Sequence, residues 1–192
     1  MKKILIINGH PNKGSFNFGL SNAYKEGAEK SGNEVKEILV GDLEFNPNLQ
    51  FGYQKRTELE PDLLKVWEKI EWAEHIVWVY PLWWGFMPAI LKGFIDRVFL
   101  PNFAFKYKEK STLWDKLLKG KTAHIINTMD YPVWYYKWFM RERGTKIMKS
   151  MILNFVGIRT IKTTYIGPIK NSNQKFREKW IEKIKAIGLR IK

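Results

Sequence analysis

Short apolar runs that alternate with helix-like segments constrain the fold of this chain most. Residues Lys3–Asn8 read KILIIN and stop at Gly9, the pattern of a strand that is buried on both faces. The other predicted strands are Glu34–Val40, His75–Tyr80, Ala123–Asn127 and Thr160–Tyr165. Helical segments separate these strands, so the connections should be right-handed crossovers and the sheet should be parallel. The pattern predicts an α/β fold.

Helices are predicted where apolar residues recur at helical spacing. Ser15 suits the N-cap of the first helix, and Pro88 suits the first turn of a helix through Ile90–Phe99. Further helices are expected around Leu63–Ile70, over Thr145–Phe155 and over Asn171–Lys192, with the basic residues of the last one mainly facing solvent. Residues Gly41–Pro61 look irregular. No linker or repeat interrupts the chain, so residues 1–192 are expected to form a single domain.

Five parallel strands suit a doubly wound sheet of order 2-1-3-4-5 with helices on both faces. In such sheets ligands bind beyond the carboxyl ends of the strands, near the switch point between strands 1 and 3. The segments that follow strands 1, 3 and 4 are therefore the candidate site.

The segment after strand 1, Gly9–Asn17, runs through a glycine-bounded loop into a helix N-terminus. Free backbone N–H groups and the positive end of the helix dipole suit a phosphate there. Ser15 and Asn17 add side-chain donors, and Lys13 adds charge. The segment matches neither a Walker motif nor G-x-G-x-x-G, and an ordinary capped turn is the alternative.

Aromatic residues dominate the other two segments. Trp83 and Trp84 are adjacent and Gly85 follows, so at least one indole is expected to face a ligand or partner, with a core plug as the alternative. A flat apolar wall of this kind suits a planar heteroaromatic group. The aromatic run Tyr131–Phe139 follows strand 4, and a subunit interface or a substrate pocket would cover it.

Composition excludes several classes of site. The chain has no cysteine, which rules out disulfides, thiolate nucleophiles and iron–sulfur clusters, and with three histidines no metal centre is expected. His75 and His124 are interpreted as structural, and Asp96-Arg97 as a local charge pair, with a dimer contact as the alternative role of Arg97.

The net charge of +14 is compatible with nucleic acid, an anionic membrane surface or anionic small ligands, or with a solvated lysine-rich surface. We expect no nucleic-acid partner. No signal-like or membrane-spanning segment is found, so we expect a cytoplasmic protein without membrane insertion.

Two motifs resemble a known family. The segment Pro81–Phe105, PLWWGFMPAILKGFIDRVFLPNFAF, closely resembles the NAD(P)H:quinone oxidoreductase branch of the flavodoxin-like flavoproteins. Residues 8–17, NGHPNKGSFN, resemble that family's phosphate loop, and the order of elements matches over most of the chain. The resemblance implies a flavodoxin-like fold, a flavin cofactor and NAD(P)H as the electron donor.

The resemblance also implies residue roles. Cofactor contacts are expected from His10, Ser15, Phe16, Asn17, Pro81, Leu82, Trp83, Trp84, Gly85 and Thr128. Phe105 and Tyr107 match aromatic positions that lie over the flavin of a partner subunit, which implies a homodimer. Thr128–Tyr131 stands where longer members carry a Gly-Gly pair, and the family's active-site histidine has no counterpart. Tyr131 is the substitute considered, so Tyr107 and Tyr131 are assigned as catalytic, and Phe105, Tyr107 and Tyr131 as substrate-binding.

The implied chemistry is ping-pong hydride transfer from NAD(P)H through flavin N5 to a quinone-like acceptor, with azo and nitro compounds as other possible acceptors. Phe45–Arg56 resembles the loop of FAD-using members, which favours FAD over FMN. The alternative function is that of a flavin-binding ancillary subunit of a potassium-efflux system. A one-electron flavodoxin carrier and a nucleic-acid binder are less favoured.

Overall fold

The computed structural model describes residues 1–52, 54–55 and 57–191, which contain seven strands and seven α-helices. In chain order they are β1 (Lys3–Asn8), α1 (Phe16–Lys30), β2 (Glu34–Leu39), α2 (Pro61–Trp72), β3 (His75–Pro81), α3 (Ala89–Val98), β4 (Phe105–Tyr107), β5 (Trp114–Lys116), β6 (Thr122–Thr128), α4 (Val133–Trp138), α5 (Arg143–Ile147), α6 (Asn154–Val156), β7 (Arg159–Ile166) and α7 (Gln174–Leu189).

The main sheet has the strand order β2-β1-β3-β6-β7, and every neighbouring pair is parallel. These are the five predicted strands, so the predicted order 2-1-3-4-5 is confirmed. The apolar runs form central strands because both faces are covered: β3 is buried along its whole length. A separate antiparallel hairpin, β4–β5, was not predicted, since its three-residue strands are too short to show alternation.

The two faces of the sheet carry separate apolar clusters. One lies under α2 and α3, and the other lies under α1 and α7. Helices α1 and α7 touch backbone to backbone at Gly27 and Gly188. A Cβ atom on Gly27 would overlap the Lys185 carbonyl, and one on Gly188 would overlap the Tyr24 carbonyl. Glycine at these positions lets α7 pack closely against α1.

The helix predicted over Thr145–Phe155 is not one regular α-helix. Between α5 and α6 the chain forms a π-helical segment, Met148–Leu153. Met148 and Leu153 are both fully buried. Residues five apart face different sides of an α-helix, so the wider turn brings both into the core. Helix α4 was also not predicted, because its sequence VWYYKW has no polar face that would reveal a helical period.

The predicted Asp96–Arg97 charge pair is wrong. Neighbouring residues on a helix point in different directions, and each of these two has another partner. Arg97 is buried and binds both carboxylate oxygens of Glu60, at 3.0 and 2.7 Å, while Asp96 accepts from Lys92 at 2.6 Å. Arg97 also donates to the Asn46 carbonyl. It therefore ties the irregular segment before α2 to α3.

None of the helices in the described part of the chain is long and apolar enough to cross a membrane.

Candidate functional site

A cavity of about 360 Å³ opens at the carboxyl ends of β1, β3 and β6. Its walls are His10, Asn12, Gly14, Ser15, Phe16, Asn17, Pro81, Leu82, Trp83, Thr128, Met129, Asp130, Ile169 and Arg177. Eight of the ten residues predicted to contact a cofactor are among them; Trp84 and Gly85 are not. The cavity lies at the predicted switch point of the sheet, and its volume is that of a small-ligand site.

The N-terminus of α1 forms the polar end of the cavity. Ser15 is the N-cap, and its hydroxyl accepts from the N–H of Phe18 at 3.3 Å. The N–H groups of Phe16 and Asn17 have no acceptor within the helix, because helix geometry leaves the first turn unpaired. Asn12 holds the preceding turn by accepting from Gly14 at 2.7 Å. Two free donors and the positive end of the dipole fit a phosphate group.

Asn17 supplies a further donor at this end. Its side chain is 3% exposed, and its Oδ1 accepts from the Thr128 hydroxyl at 2.8 Å. That bond orients the amide and leaves Nδ2 buried without a partner among the described residues. A buried donor that stays unpaired costs about 1–3 kcal/mol. An acceptor-rich ligand in the cavity would remove that cost, so these residues fit a flavin phosphate.

His10 stands in the cavity as a neutral donor. Burial lowers the pKa of its imidazole below the usual value, so the ring is uncharged at pH 7. Its Nδ1 is 3.0 Å from the Asn12 backbone nitrogen and accepts that N–H, which leaves the proton on Nε2. The ring meets Trp83 edge to face, with centroids 5.5 Å apart.

The residues Trp83–Phe86 form a tight turn closed by two backbone hydrogen bonds of 2.8 and 3.0 Å between Trp83 and Phe86. Trp84 and Gly85 have φ values of 51° and 78°, as the central residues of a type I′ turn do. A bulky side chain rarely adopts such a conformation. The turn directs Trp83 into the cavity wall and leaves Trp84 fully exposed.

Tyr131 lies beside the cavity rather than in its wall. Burial raises the pKa of its phenol to about 12, and its hydroxyl is buried without a partner among the described residues. Its ring is 5.8 Å from that of Tyr136. The Tyr136 hydroxyl contacts Thr145 at 2.8 Å, and Thr145 in turn donates to Asn127 at 2.9 Å. The Tyr131 hydroxyl therefore remains protonated at pH 7.

Phe105 and Tyr107 lie at a different cavity, of about 610 Å³, between α3 and the segment around α6. Phe105 is 6% exposed and packs edge to face on Phe155 and Tyr107. Tyr107 is largely exposed. Within one chain the structure does not bring these two residues together with the cavity at the switch point.

Comparison with known proteins decides the family. The model of the family described as having a flavodoxin-like fold matches residues 2–187. The chain belongs to this family. This flavodoxin-like chain is 31% identical to NAD(P)H dehydrogenase [quinone] 1 of Rattus norvegicus, over 97% of this chain and 78% of the rat protein. It is 30% identical to an uncharacterized NAD(P)H oxidoreductase of Haemophilus influenzae, over 93% and 90%.

Solved structures agree with this assignment. A crystal structure from Streptococcus mutans UA159 superposes with a TM-score of 0.82 at 32% identity, covering 98% of this chain and 99% of that one. The NAD(P)H:quinone oxidoreductase of Methanothermobacter marburgensis shares the fold, with a TM-score of 0.81 at 20% identity over 100% and 99%. The chain thus falls within the NAD(P)H:quinone oxidoreductase branch of the flavodoxin-like family.

Arg177 is a residue of the site that the sequence did not reveal. The basic residues of the last helix were expected to face solvent, but Arg177 of α7 lines the cavity. Its Nε donates to the Ser172 hydroxyl at 2.9 Å, and its guanidinium lies 5.8 Å from the Phe16 ring centre. Only the packing of α7 on α1 places this charge there, and no local pattern could have indicated it. No cluster of three metal-ligating side chains occurs among the described residues.

Proposed function

We propose that this protein is a flavin-dependent NAD(P)H oxidoreductase that reduces quinone-like acceptors. The observation that carries the proposal is the unpartnered Asn17 Nδ2 at the N-terminus of α1, inside a cavity whose wall also includes the Trp83 indole. The cavity thus combines donors that suit a phosphate with an aromatic wall that suits a flat ring. The names of the rat and Haemophilus relatives support NAD(P)H as the electron donor. The name of the rat relative also supports quinones as the class of acceptor.

The phosphate end would be held by His10, Ser15, Phe16 and Asn17, with Arg177 adding positive charge. Pro81, Leu82 and Trp83 would surround the ring system, and Thr128 would contact the cofactor beside Asn17. We propose FAD or FMN as the cofactor. The leaning toward FAD rests on Phe45–Arg56, of which Tyr53 and Arg56 lie outside the described residues.

A bound flavin supplies the redox chemistry, hydride transfer from NAD(P)H through its N5 to the acceptor by a ping-pong mechanism. The protein's part is binding, orientation and exclusion of water. Leu82 and Trp83 provide an apolar wall, and the protonated Tyr131 hydroxyl can donate to the oxygen of a reduced acceptor. The net charge of +14 favours the approach of phosphate-bearing cofactors.

We further propose a cytoplasmic homodimer in which each Tyr107 reaches the site of the other chain. The largely exposed Tyr107 and the apolar cavity beside it support this arrangement, because two copies would cover both. The relatives named above give no support to the alternative role as an ancillary subunit of a potassium-efflux system.

Steady-state quinone reduction tests the proposal. Reconstituted with FAD or FMN, the protein should oxidise NADH or NADPH in the presence of a quinone much faster than free flavin does. Tyr107→Ala should lower kcat/KM several-fold, because a stacked aromatic ring contributes about 0.5–1.5 kcal/mol. Tyr131→Phe should lower it by a similar factor, because a hydrogen bond to a neutral acceptor contributes about 0.5–1.5 kcal/mol. Both variants should keep normal flavin content.

Leu64→Ala is the control, because Leu64 is an exposed apolar residue of α2 that lines neither cavity and lies outside Phe45–Arg56. It should behave like the unsubstituted protein. A rate no higher than that of free flavin would contradict the proposed activity, and loss of flavin from the tyrosine variants would contradict the roles of Tyr107 and Tyr131.

A further inference from the structure

Four large aromatic side chains project into solvent beside the mouth of the cavity. Trp84, Trp134, Trp138 and Phe139 each expose 62% or more of their surface, and we call them the aromatic patch. Such a concentration of exposed apolar rings is unusual for a surface that only faces water. It indicates a surface that binds a protein, a membrane or a ligand.

The two segments that carry the patch touch each other. Trp84 belongs to the tight turn after β3, and the other three belong to α4 and its end. A Cβ atom on Gly85 would lie 3.0 Å from the Met140 side chain, and one on Gly144 would overlap the Gly85 carbonyl. Along α4, Tyr135 stacks on Phe139 with ring centres 5.3 Å apart.

Positive charge surrounds these rings. Between Val133 and Lys149 the chain carries five basic residues and a single acidic one, Glu142. Four of the basic side chains are exposed and have no ion-pair partner among the described residues: Lys137, Arg141, Arg143 and Lys146. Glu142 itself is half-buried. The surface is therefore both aromatic and cationic.

We propose that this surface binds an anionic lipid bilayer. Indole rings favour the boundary between headgroups and acyl chains, and lysine and arginine beside them are attracted to anionic headgroups. A second copy of this chain fits this surface less well, because the basic side chains beside the rings would then face another chain of net charge +14. The mode of binding is peripheral, with the rings inserted only to headgroup depth.

The location gives this binding a consequence for substrate. Trp83 lines the cavity and Trp84, the next residue, belongs to the patch. A protein docked through the patch would hold the mouth of its cavity at the bilayer surface, where a lipid-soluble quinone is found. This consequence rests on the proposed function; the lipid binding itself does not.

Co-sedimentation with vesicles tests the lipid binding without flavin or NAD(P)H, so its outcome is separate from that of the proposed function. The protein should sediment with vesicles of mixed phosphatidylglycerol and phosphatidylcholine, and much less with phosphatidylcholine alone. Brominated lipids should quench its tryptophan fluorescence. Trp138→Ser with Phe139→Ser should abolish sedimentation, and Arg141→Gln with Lys146→Gln should weaken it roughly fivefold for each cation removed.

Two control variants match these changes elsewhere on the surface. Lys175→Gln with Lys179→Gln removes the same charge from α7, and Leu113→Ser removes an exposed apolar side chain. Both should bind vesicles as the unsubstituted protein does. Binding that is absent at low salt, equal on both kinds of vesicle, or equally weakened by the controls would overturn the proposal. The proposal would also be overturned if the unsubstituted protein did not bind vesicles and the Trp138/Phe139 variant had half its mass in light scattering. The patch would then join two copies of the chain.

Discussion

Asn17 is the single residue on which the candidate site depends most. Thr128 fixes its amide, so that the unpaired Nδ2 is buried at the end of the cavity that we propose binds phosphate. The bond joins α1 to the end of β6, which means that the donor is positioned before any ligand arrives. Binding energy is therefore not spent on orienting this side chain.

Asn17→Ala should lower flavin affinity by one to two orders of magnitude, because a hydrogen bond to a charged group contributes about 1.5–3 kcal/mol. Asn33→Ala is the matched control at the other end of α1, where Asn33 bonds the Ala28 carbonyl at 3.3 Å. It should leave flavin affinity unchanged. Equal affinities for both variants, measured by fluorescence titration, would show that Asn17 does not hold the cofactor.

At the scale of elements, two buried histidines join α1 to the sheet. His75 on β3 bonds the Thr122 hydroxyl at 2.7 Å, and His124 on β6 bonds that of Thr164 at 2.9 Å. Tyr24 of α1 contacts both rings. Burial lowers the pKa of His75 to about 4 and that of His124 to about 3, so both rings are neutral at pH 7. Their interpretation as structural residues agrees with these contacts.

This arrangement predicts loss of stability in acid. Below pH 6.5 the unfolded chain binds protons at both histidines while the folded chain does not, so the free energy of unfolding falls as the pH drops toward 4. The slope should approach 1.4 kcal/mol per pH unit for each histidine. Urea denaturation at several pH values checks this. His75→Gln with His124→Gln should flatten the dependence between pH 6.5 and 4, and an unchanged slope in that variant would refute the assignment.

The strands and helices that could be predicted from the sequence are those in which consecutive residues are buried along the element. The apolar runs of β1, β3 and β6 identify central strands, and the switch point then locates the three segments that supply most of the cavity. The hairpin β4–β5 and the π-helical segment Met148–Leu153 could not be predicted from the sequence pattern. The strands of the hairpin are too short to show alternation, and the wider turn of the π-helical segment is set by tertiary packing. The presence of Arg177 in the cavity wall depends in the same way on how α7 packs.

At the scale of the whole molecule, the exposed apolar surface beside α3 predicts a homodimer. Tyr107 and Met151 are both largely exposed at the rim of the larger cavity, and a second copy would bury them. Light scattering at micromolar concentration should give about twice the chain mass of 22.8 kDa. The Trp138/Phe139 variant should keep this mass, since its substitutions lie in the aromatic patch. A monomer with full quinone reductase activity would contradict the shared site.

Titration of the protein with FAD and FMN, followed by tryptophan fluorescence, tests the central claim most directly. Trp83 lies in the wall of the cavity, so a flavin bound there must quench it. We expect saturable quenching by at least one of the two flavins, with close to one flavin bound per chain after the excess is removed. An absence of saturable quenching by either flavin would contradict the assignment of this cavity as a flavin site.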